Sequence, residues 1–374
     1  MSNSMAVHNQ WRSRPSDERF DSLYAMRDFK RAIYSTATEF VTRGDVIAKK
    51  LACSEDVGGR FDTDTIGIEA KSGDLVQFNN WSFGQLATLS GSPASYLREL
   101  PAQLVRDNLR WMLRNRAEDL KCYGFKGDTP HVAAFTGPNY GRIYDADIID
   151  ALIRIAGDGI GSHNWRVPGV WNRRVEVNSD TTTLYASDRD MFVFLVDEDH
   201  PIEVGKTKRG EPRVLRRGFY ITNSEVGASS LVLACFYYNE VCANRIIWGI
   251  ENFEEFRFKH SKFAPNRFIN HVQPALTAYS NKNTVRIGDA IREAESVVVA
   301  KKEDEAIDWL RKRDFTQREA KSVVTAIRQE EGGDYYDLWN LAQGVTAVAR
   351  DIPHQDQRVK FEQRASTWLN KVAA

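Results

Sequence analysis

Residues 191–196 read MFVFLV, and this run decides the fold. Met191, Val193 and Leu195 fall on one side of an extended chain; Phe192, Phe194 and Val196 fall on the other. Side chains alternate across a strand, so a run apolar on both sides belongs to a central strand covered on both faces. Working outward, Arg173–Val177, Thr181–Tyr185, Gly218–Thr222 and Ser230–Tyr238 read as further strands, making an all-β stretch. Upstream, IGIEA and LVQF between Ile66 and Phe78 predict two short strands joined by the turn Lys71-Ser72-Gly73-Asp74. Strands are also expected at His131–Phe135 and Arg142–Tyr144.

Helical signals surround these strands. Ser82 is placed as an N-cap with Gln85 in the capping-box position, and Ser92-Pro93 opens a second short helix. After Pro101, Leu104, Leu109, Met112 and Leu113 recur at helical spacing, with Arg106, Arg110, Arg114 and Arg116 on or near the opposite side. Asp145 or Asp147 is placed to cap a helix through Ile148–Ile155, ended by the glycines at 157–161. Residues 22–52 give a mixed pattern that assigns no element. From about Asn283 the composition turns to Glu, Lys, Arg and Ala, with Ile287, Ile291, Ala294, Val298, Ile307 and Leu310 in heptad-like positions. Thr316 and Glu319 form a capping box; Gly332-Gly333 breaks that helix; further helices run through Tyr336–Arg350 and 357–372. The expected class is α+β: a mainly antiparallel central sheet, flanking helices and a helical C-terminal region. The expected organisation is a flexible 1–20, a core at 21–282 and a helical extension at 283–374 that packs on the sheet or mediates assembly.

The chain has 374 residues, 42% hydrophobic and 27% charged, with formal net charge zero. Size and apolar content allow a sizeable core. Without a net field, binding to a polyanion must come from local patches. The four cysteines (Cys53, Cys122, Cys235, Cys242) form no CxxC pair and suggest neither a zinc site nor a disulfide framework. No apolar run is long enough for a membrane span, and the polar opening MSNSMAVHNQWRSRPSDER lacks the apolar segment of a signal peptide, so a cytoplasmic protein without a membrane partner is expected. P-loop, dinucleotide, GxSxG and HExxH motifs are missing.

Two stretches carry candidate sites. In NSEVG (223–227), Glu225 lies between an Asn-Ser pair and a small-residue turn, where it can orient Arg245 or Arg173, bind a metal or act as a base. The stretch FEEFRFKHSKFAPNRF (253–268) interleaves five phenylalanines with Arg257, Lys259, Lys262, Arg267 and His260. Rings stack on unpaired bases while cations track phosphates, so this pattern suits a single-stranded nucleic acid. Trp165, Arg166, Trp171, Arg173 and Arg174 make a second such patch. The third, between Gly205 and Gly218, sets Lys206, Lys208, Arg209, Arg213, Arg216 and Arg217 against one acid, Glu211. Asn244 and Arg245 join this candidate nucleic-acid set. A solvated hairpin loop explains the 205–218 charges equally well. Asp188, Asp190, Glu225 and His260 are the candidates for catalysis: paired acids at a strand end can hold Mg2+ or Mn2+ for phosphodiester hydrolysis. Solvated strand ends, a structural ion pair for Glu225 and a structural histidine are the plainer readings.

The blocks FGQLATLSGSPASYLRELP (83–101), AAFTGPNYGRIYDADIIDAL (133–152), LYASDRDMFVFLVD (184–197) and RGFYITNSEVGASSLVLACFYYNEVCANRIIWG (217–249) resemble a phage- and plasmid-borne family catalogued as domain of unknown function 932. The resemblance covers roughly residues 60–350, with the blocks in family order. Asn223, Ser224, Glu225, Gly227, Cys242, Asn244, Arg245, Trp248, Gly249 and His260 match the family pattern. Occurrence on mobile elements implies a role in replication, recombination or defence of foreign DNA; the resemblance brings no catalytic residues with it. The expected function is DNA binding, preferring single strands, in phage or plasmid recombination or replication, with strand annealing by a homo-oligomer as one form. No cofactor is expected. The alternatives are a Mg2+- or Mn2+-dependent nuclease using Asp188, Asp190 and Glu225, and a host-interaction or anti-defence protein without nucleic-acid affinity.

Overall fold

The computed structural model describes residues 15–54, 65–126, 130–168, 176–206, 210, 212–239, 244–246, 256–280, 285–330, 335–352, 361–362 and 364–369. In chain order, β1 (Arg19–Phe20), α1 (Leu23–Ser35), β2 (Ala37–Arg43), α2 (Gly44–Lys50) and β3 (Leu51–Cys53) precede β4 (Ile66–Glu69) and β5 (Leu75–Phe78). Helices α3 (Asn80–Ser90), α4 (Ala94–Leu97) and α5 (Ala102–Leu113) lead to β6 (Asp119–Phe125), β7 (His131–Thr136) and α6 (Asp145–Ala156). Next come β8 (Trp165–Arg166), β9 (Leu184–Ala186), β10 (Met191–Asp197), β11 (Ile202–Lys206), β12 (Pro212–Asn223), β13 (Leu231–Asn239), β14 (Asn244–Ile246) and β15 (Phe256–Phe258). The remainder is α7 (Ala264–Arg267), α8 (Gln273–Ser280), α9 (Val285–Ser296), β16 (Val298–Ala300), α10 (Glu303–Arg311), α11 (Gln317–Glu330), β17 (Tyr336–Asp337) and α12 (Leu338–Ala349).

The class is α+β, with two large, mainly antiparallel sheets among the described residues. The larger runs β1-β9-β10-β12-β13-β14, with β8 on β10, β11 on β12 and β15 on β13. The smaller runs β2-β6-β7-β5-β4-β3 and holds one parallel pair, β5 with β7. Strand β10 is buried along its whole length. Its Met191, Val193 and Leu195 face a core shared with α1, α6 and the 264–279 helices; Phe192, Phe194 and Val196 lie in the opposite core with Tyr220 and Phe236. Gly218 of β12 pairs with Phe236 of β13, and a Cβ at Gly218 would overlap the Phe236 ring, so that crossing requires glycine. The smaller sheet packs one face on α2, α3 and α5. The C-terminal helices bury Val204, Leu215 and Tyr237 in their own core, which seats them against the β11–β12–β13 end of the larger sheet.

Several boundaries differ from expectation. Residues 22–52 form α1, β2 and α2; their polar exposed faces hide the period in the sequence. Residues 19–20 pair with β9 and belong to the sheet. Residues 142–144 are irregular, because Arg142 turns inward rather than alternating along a ladder. The cap of α3 is Asn79, whose side chain accepts from the Ser82 amide at 2.8 Å; Ser82 instead donates to the Val132 carbonyl. Tyr144, not Asp145 or Asp147, precedes α6 as N-cap. In α5 the buried stripe is Ala102, Val105, Leu109 and Leu113, whereas Leu104 and Met112 are exposed. Residues 336–337 form a strand before α12 begins. The Thr316–Glu319 capping box forms in both directions. The 332–333 break and the 173–175 part of the expected strand lie outside the described residues; 176–177 are irregular, and the described part of the last expected helix, 361–362 and 364–369, is helical.

Candidate functional site

NSEVG is the joint between the two sheets. Antiparallel pairing of Met191 with Asn223 brings the end of β12 beside the Ser187–Asp190 hairpin tip. Ser224 Oγ donates to the Arg189 carbonyl at 2.7 Å and accepts from the Ala228 amide at 2.9 Å, closing a turn in which Gly227 takes φ +83°. A left-handed backbone there favours glycine. The Val226 carbonyl then accepts from Trp81 Nε1 (2.9 Å) and Gln85 Nε2 (3.0 Å) of α3. Gln85 Oε1 accepts from the Phe135 amide at 2.8 Å, so Gln85 fastens the sheets instead of capping its helix.

Beneath this turn lies a buried ionic centre. Lys30 Nζ sits 2.8 Å from Asp145 Oδ2 and 3.9 Å from Glu225 Oε1, and donates to the Ser187 carbonyl at 2.9 Å. Asn223 Nδ2 donates to Asp145 Oδ1 (2.7 Å) and to the Ile143 carbonyl (2.9 Å). Glu225 accepts from the Asp145 amide at 2.7 Å and from the Tyr123 hydroxyl at 3.3 Å. Lys30, Asp145, Asn223 and Glu225 are all at most 3% exposed. Burial, reinforced by the Glu225 carboxylate and opposed by Lys30, pushes Asp145 up to about 7. Burial alone would lower Lys30, but Asp145 and Glu225 outweigh it and hold the ammonium proton above its ordinary range. Burial, with Glu225 beside it, also raises the Tyr123 phenol. The centre ties α1, α6, β6 and β12 together.

Arg142 carries the network outward: it stacks over Tyr123 (3.8 Å to the ring centroid) and grips Glu39 Oε2 at 2.9 Å. Next to it, Tyr140 stacks on His260, with centroids 4.9 Å apart and planes 17° from parallel. Tyr140 also donates to the Ser224 carbonyl at 3.1 Å. His260 Nδ1 lies 3.2 Å from the Gly141 carbonyl oxygen, which only accepts, so Nδ1 carries the ring proton. Burial and the nearby Arg142 charge lower the His260 pKa and keep the imidazole neutral.

The four catalytic candidates are not brought together as a metal set. Glu225 accepts bonds at both oxygens from protein groups, and its cationic partner is Lys30. Asp190 accepts from Ser187 Oγ at 3.0 Å, and Asp188 sits exposed on the hairpin tip, bonded by Asn79 Nδ2 at 3.3 Å. His260 is buried on Tyr140. Among the described residues no group of three or more His, Cys, Asp or Glu is arranged to hold a metal ion.

The cations divide into interior and surface sets. Arg213 is buried against Glu295, Arg217 is buried against Asp197 (2.6 Å), and Arg216 donates to the Glu198 carbonyl. Arg166 is likewise buried, paired with Asp199. Buried guanidiniums cannot face a strand's phosphates, so Arg166, Arg213 and Arg217 serve the fold, while Arg216 is half-buried. Lys206 is exposed at the end of β11. Arg173, Arg174, Lys208 and Arg209 lie outside the described residues, as do the side chains of Asn244 and Arg245, whose backbone forms β14. In contrast, Arg257, Lys259, Lys262 and Arg267 are all exposed, and Phe263 among them is 61% exposed. Phe258 packs on the core. The chain holds no acid between Glu255 and Asp289. This basic edge is anchored to the ionic centre by the Tyr140–Ser261 bridge and the His260 stack.

Sequence reasoning missed Lys30, Asp145 as an ion-pair member, and Tyr140. For Lys30 a signal existed: Leu23, Met26 and Lys30 share the buried stripe of α1, and a lysine on an apolar stripe needs a buried partner. No family model, curated protein or solved structure matches this chain.

Proposed function

We propose that this chain binds single-stranded DNA along the exposed edge at residues 257–267. The observation that carries the reading is the co-exposure of Arg257, Lys259, Lys262, Arg267 and Phe263 in a stretch without acids. Cations neutralise phosphates, and an exposed ring offers a stacking surface to an unpaired base. The buried ionic centre acts as a support that holds Tyr140, His260 and hence this edge in place. A role in recombination or replication of phage or plasmid DNA follows from the family resemblance; annealing by a homo-oligomer is the form of that role consistent with sequence-independent backbone contacts.

Fluorescence anisotropy with a labelled oligo-dT strand, titrated across salt concentrations, tests the reading. Each lost phosphate contact lowers the log–log salt slope by about 0.7 for a single strand, so Lys259→Glu, Lys262→Glu and Arg267→Glu together are expected to reduce it by about 2. No binding at low salt, or a triple variant that binds as wild type does, overturns it.

A further inference from the structure

A second feature beside the joint points to a ligand. An open cavity of about 530 Å3 is lined by Asn80, Trp81, Gly84, Gln85, Thr88, Leu89, Arg98 and Phe135. That volume is within the range of small-molecule sites. Gly84 lies in the interior of α3, where glycine costs about 1 kcal/mol relative to alanine. Packing does not demand it: a Cβ at Gly84 would meet no atom within 4 Å. The glycine instead leaves that wall of the cavity bare.

The lining has the chemistry for a flat anion. None of the eight lining residues is acidic. Among the described residues the Arg98 guanidinium makes one long bond, 3.4 Å to the Asn80 carbonyl, and lies 5.2 Å from the Phe83 ring centroid, so most of its five donors are unused there. The Trp81 N–H is already committed to Val226, leaving the indole to act as an apolar surface, and Arg189 stands 4.5 Å from its centroid. An indole and a guanidinium lining one cavity suit a base and its phosphate, and Arg189, outside the lining, covers one face of the ring. The cavity also neighbours the basic edge: a Cβ at Gly227 would lie 3.8 Å from Gln85 Nε2 on one side and 3.7 Å from the Tyr140 ring, which stacks on His260, on the other.

We propose that this cavity takes one nucleotide, its base against Trp81 and its phosphate on Arg98. The choice of a nucleotide over other flat anions rests on the single-strand reading above. The nucleotide is either free or part of a strand, and the probes separate these sources: thymidine 5′-monophosphate, thymidine, and a ten-residue oligo-dT. Gly84→Leu fills the cavity from a helical position with open space, so the variant is expected to melt no lower than wild type. It should weaken binding at least tenfold, of the monophosphate if the source is free nucleotide, or of the oligonucleotide alone if the source is a strand. Where the monophosphate binds, thymidine should bind at least tenfold more weakly than it does. Should the leucine variant unfold, Arg98→Gln carries the same expected loss. Oligo-dT that binds wild type and the cavity variant equally, with no monophosphate binding, overturns the cavity assignment and leaves the basic edge standing. Oligo-dT that binds neither protein removes the single-strand reading, and the nucleotide assignment falls with it when the monophosphate binds neither protein too.

Discussion

Replacing Lys30 by Met should expose how much the ionic centre contributes. Lys30 faces Asp145 at 2.8 Å and Glu225 at 3.9 Å with almost no solvent access. With an effective dielectric of about 20, and with both carboxylates ionised as they are above about pH 7, Coulomb's law gives attractions of about 6 and about 4 kcal/mol at those distances. Desolvation of several kcal/mol per ion offsets much of this, and removing one member of a buried set costs about 3–5 kcal/mol because the partners keep their buried charge. The sign of the pH dependence follows from Asp145. Its folded pKa, raised to about 7, stands above the ordinary carboxyl value near 3.9, so its contribution to wild-type stability falls as pH rises from about 4 to about 7 and is flat above. Without Lys30 the folded pKa rises further. Below about pH 7 Asp145 is protonated in both folded proteins and the deficit is constant. Above it only wild type ionises Asp145 in the folded state, so the deficit widens by up to about 1.4 kcal/mol per pH unit. Urea unfolding at pH 6, 7, 8 and 8.5 measures this. Lys30→Met with Asp145→Asn should recover much of the loss, since no unpaired charge remains on Asp145. A single variant within about 1 kcal/mol of wild type throughout, or a deficit that narrows with pH, would refute the reasoning.

Two further outcomes follow from burial. Burial pushes the Cys122 thiol up to about 12 and raises Cys235 as well, so native protein at pH 8 should leave both unmodified by iodoacetamide while half-buried Cys53 reacts; peptide mass spectrometry reads this, and equal labelling of Cys122 and Cys53 would contradict the packing. Gly218→Val should destabilise by about 1–3 kcal/mol through overpacking, because Phe236 already stacks on Phe194 at 4.9 Å and has nowhere to yield; an unchanged melting temperature would show the crossing to be looser than described.

The local patterns were legible where one physical period dominates. MFVFLV announced a strand buried on both sides, and the Thr316–Glu319 spacing announced a cap, because each depends on residues within a few positions. The stretch at 22–52 was illegible because strand β2 is largely exposed and shows no apolar alternation. Charge gave the poorest guide. Arg213, Arg217, Lys259 and Lys262 look alike in sequence, yet the first two are interior ion-pair members and the last two are exposed. The amino-acid order alone determined the α+β class, the central strand, the helical C-terminal region and the NSEVG and 257–267 stretches as places of interest. Only the tertiary structure decided that Glu225 turns inward to Lys30, nearly two hundred positions earlier, and that Gly84 opens a cavity beside the same turn. A side chain's period reports whether it is covered; which charge meets it there depends on how distant elements pair, and that is a property of the whole topology.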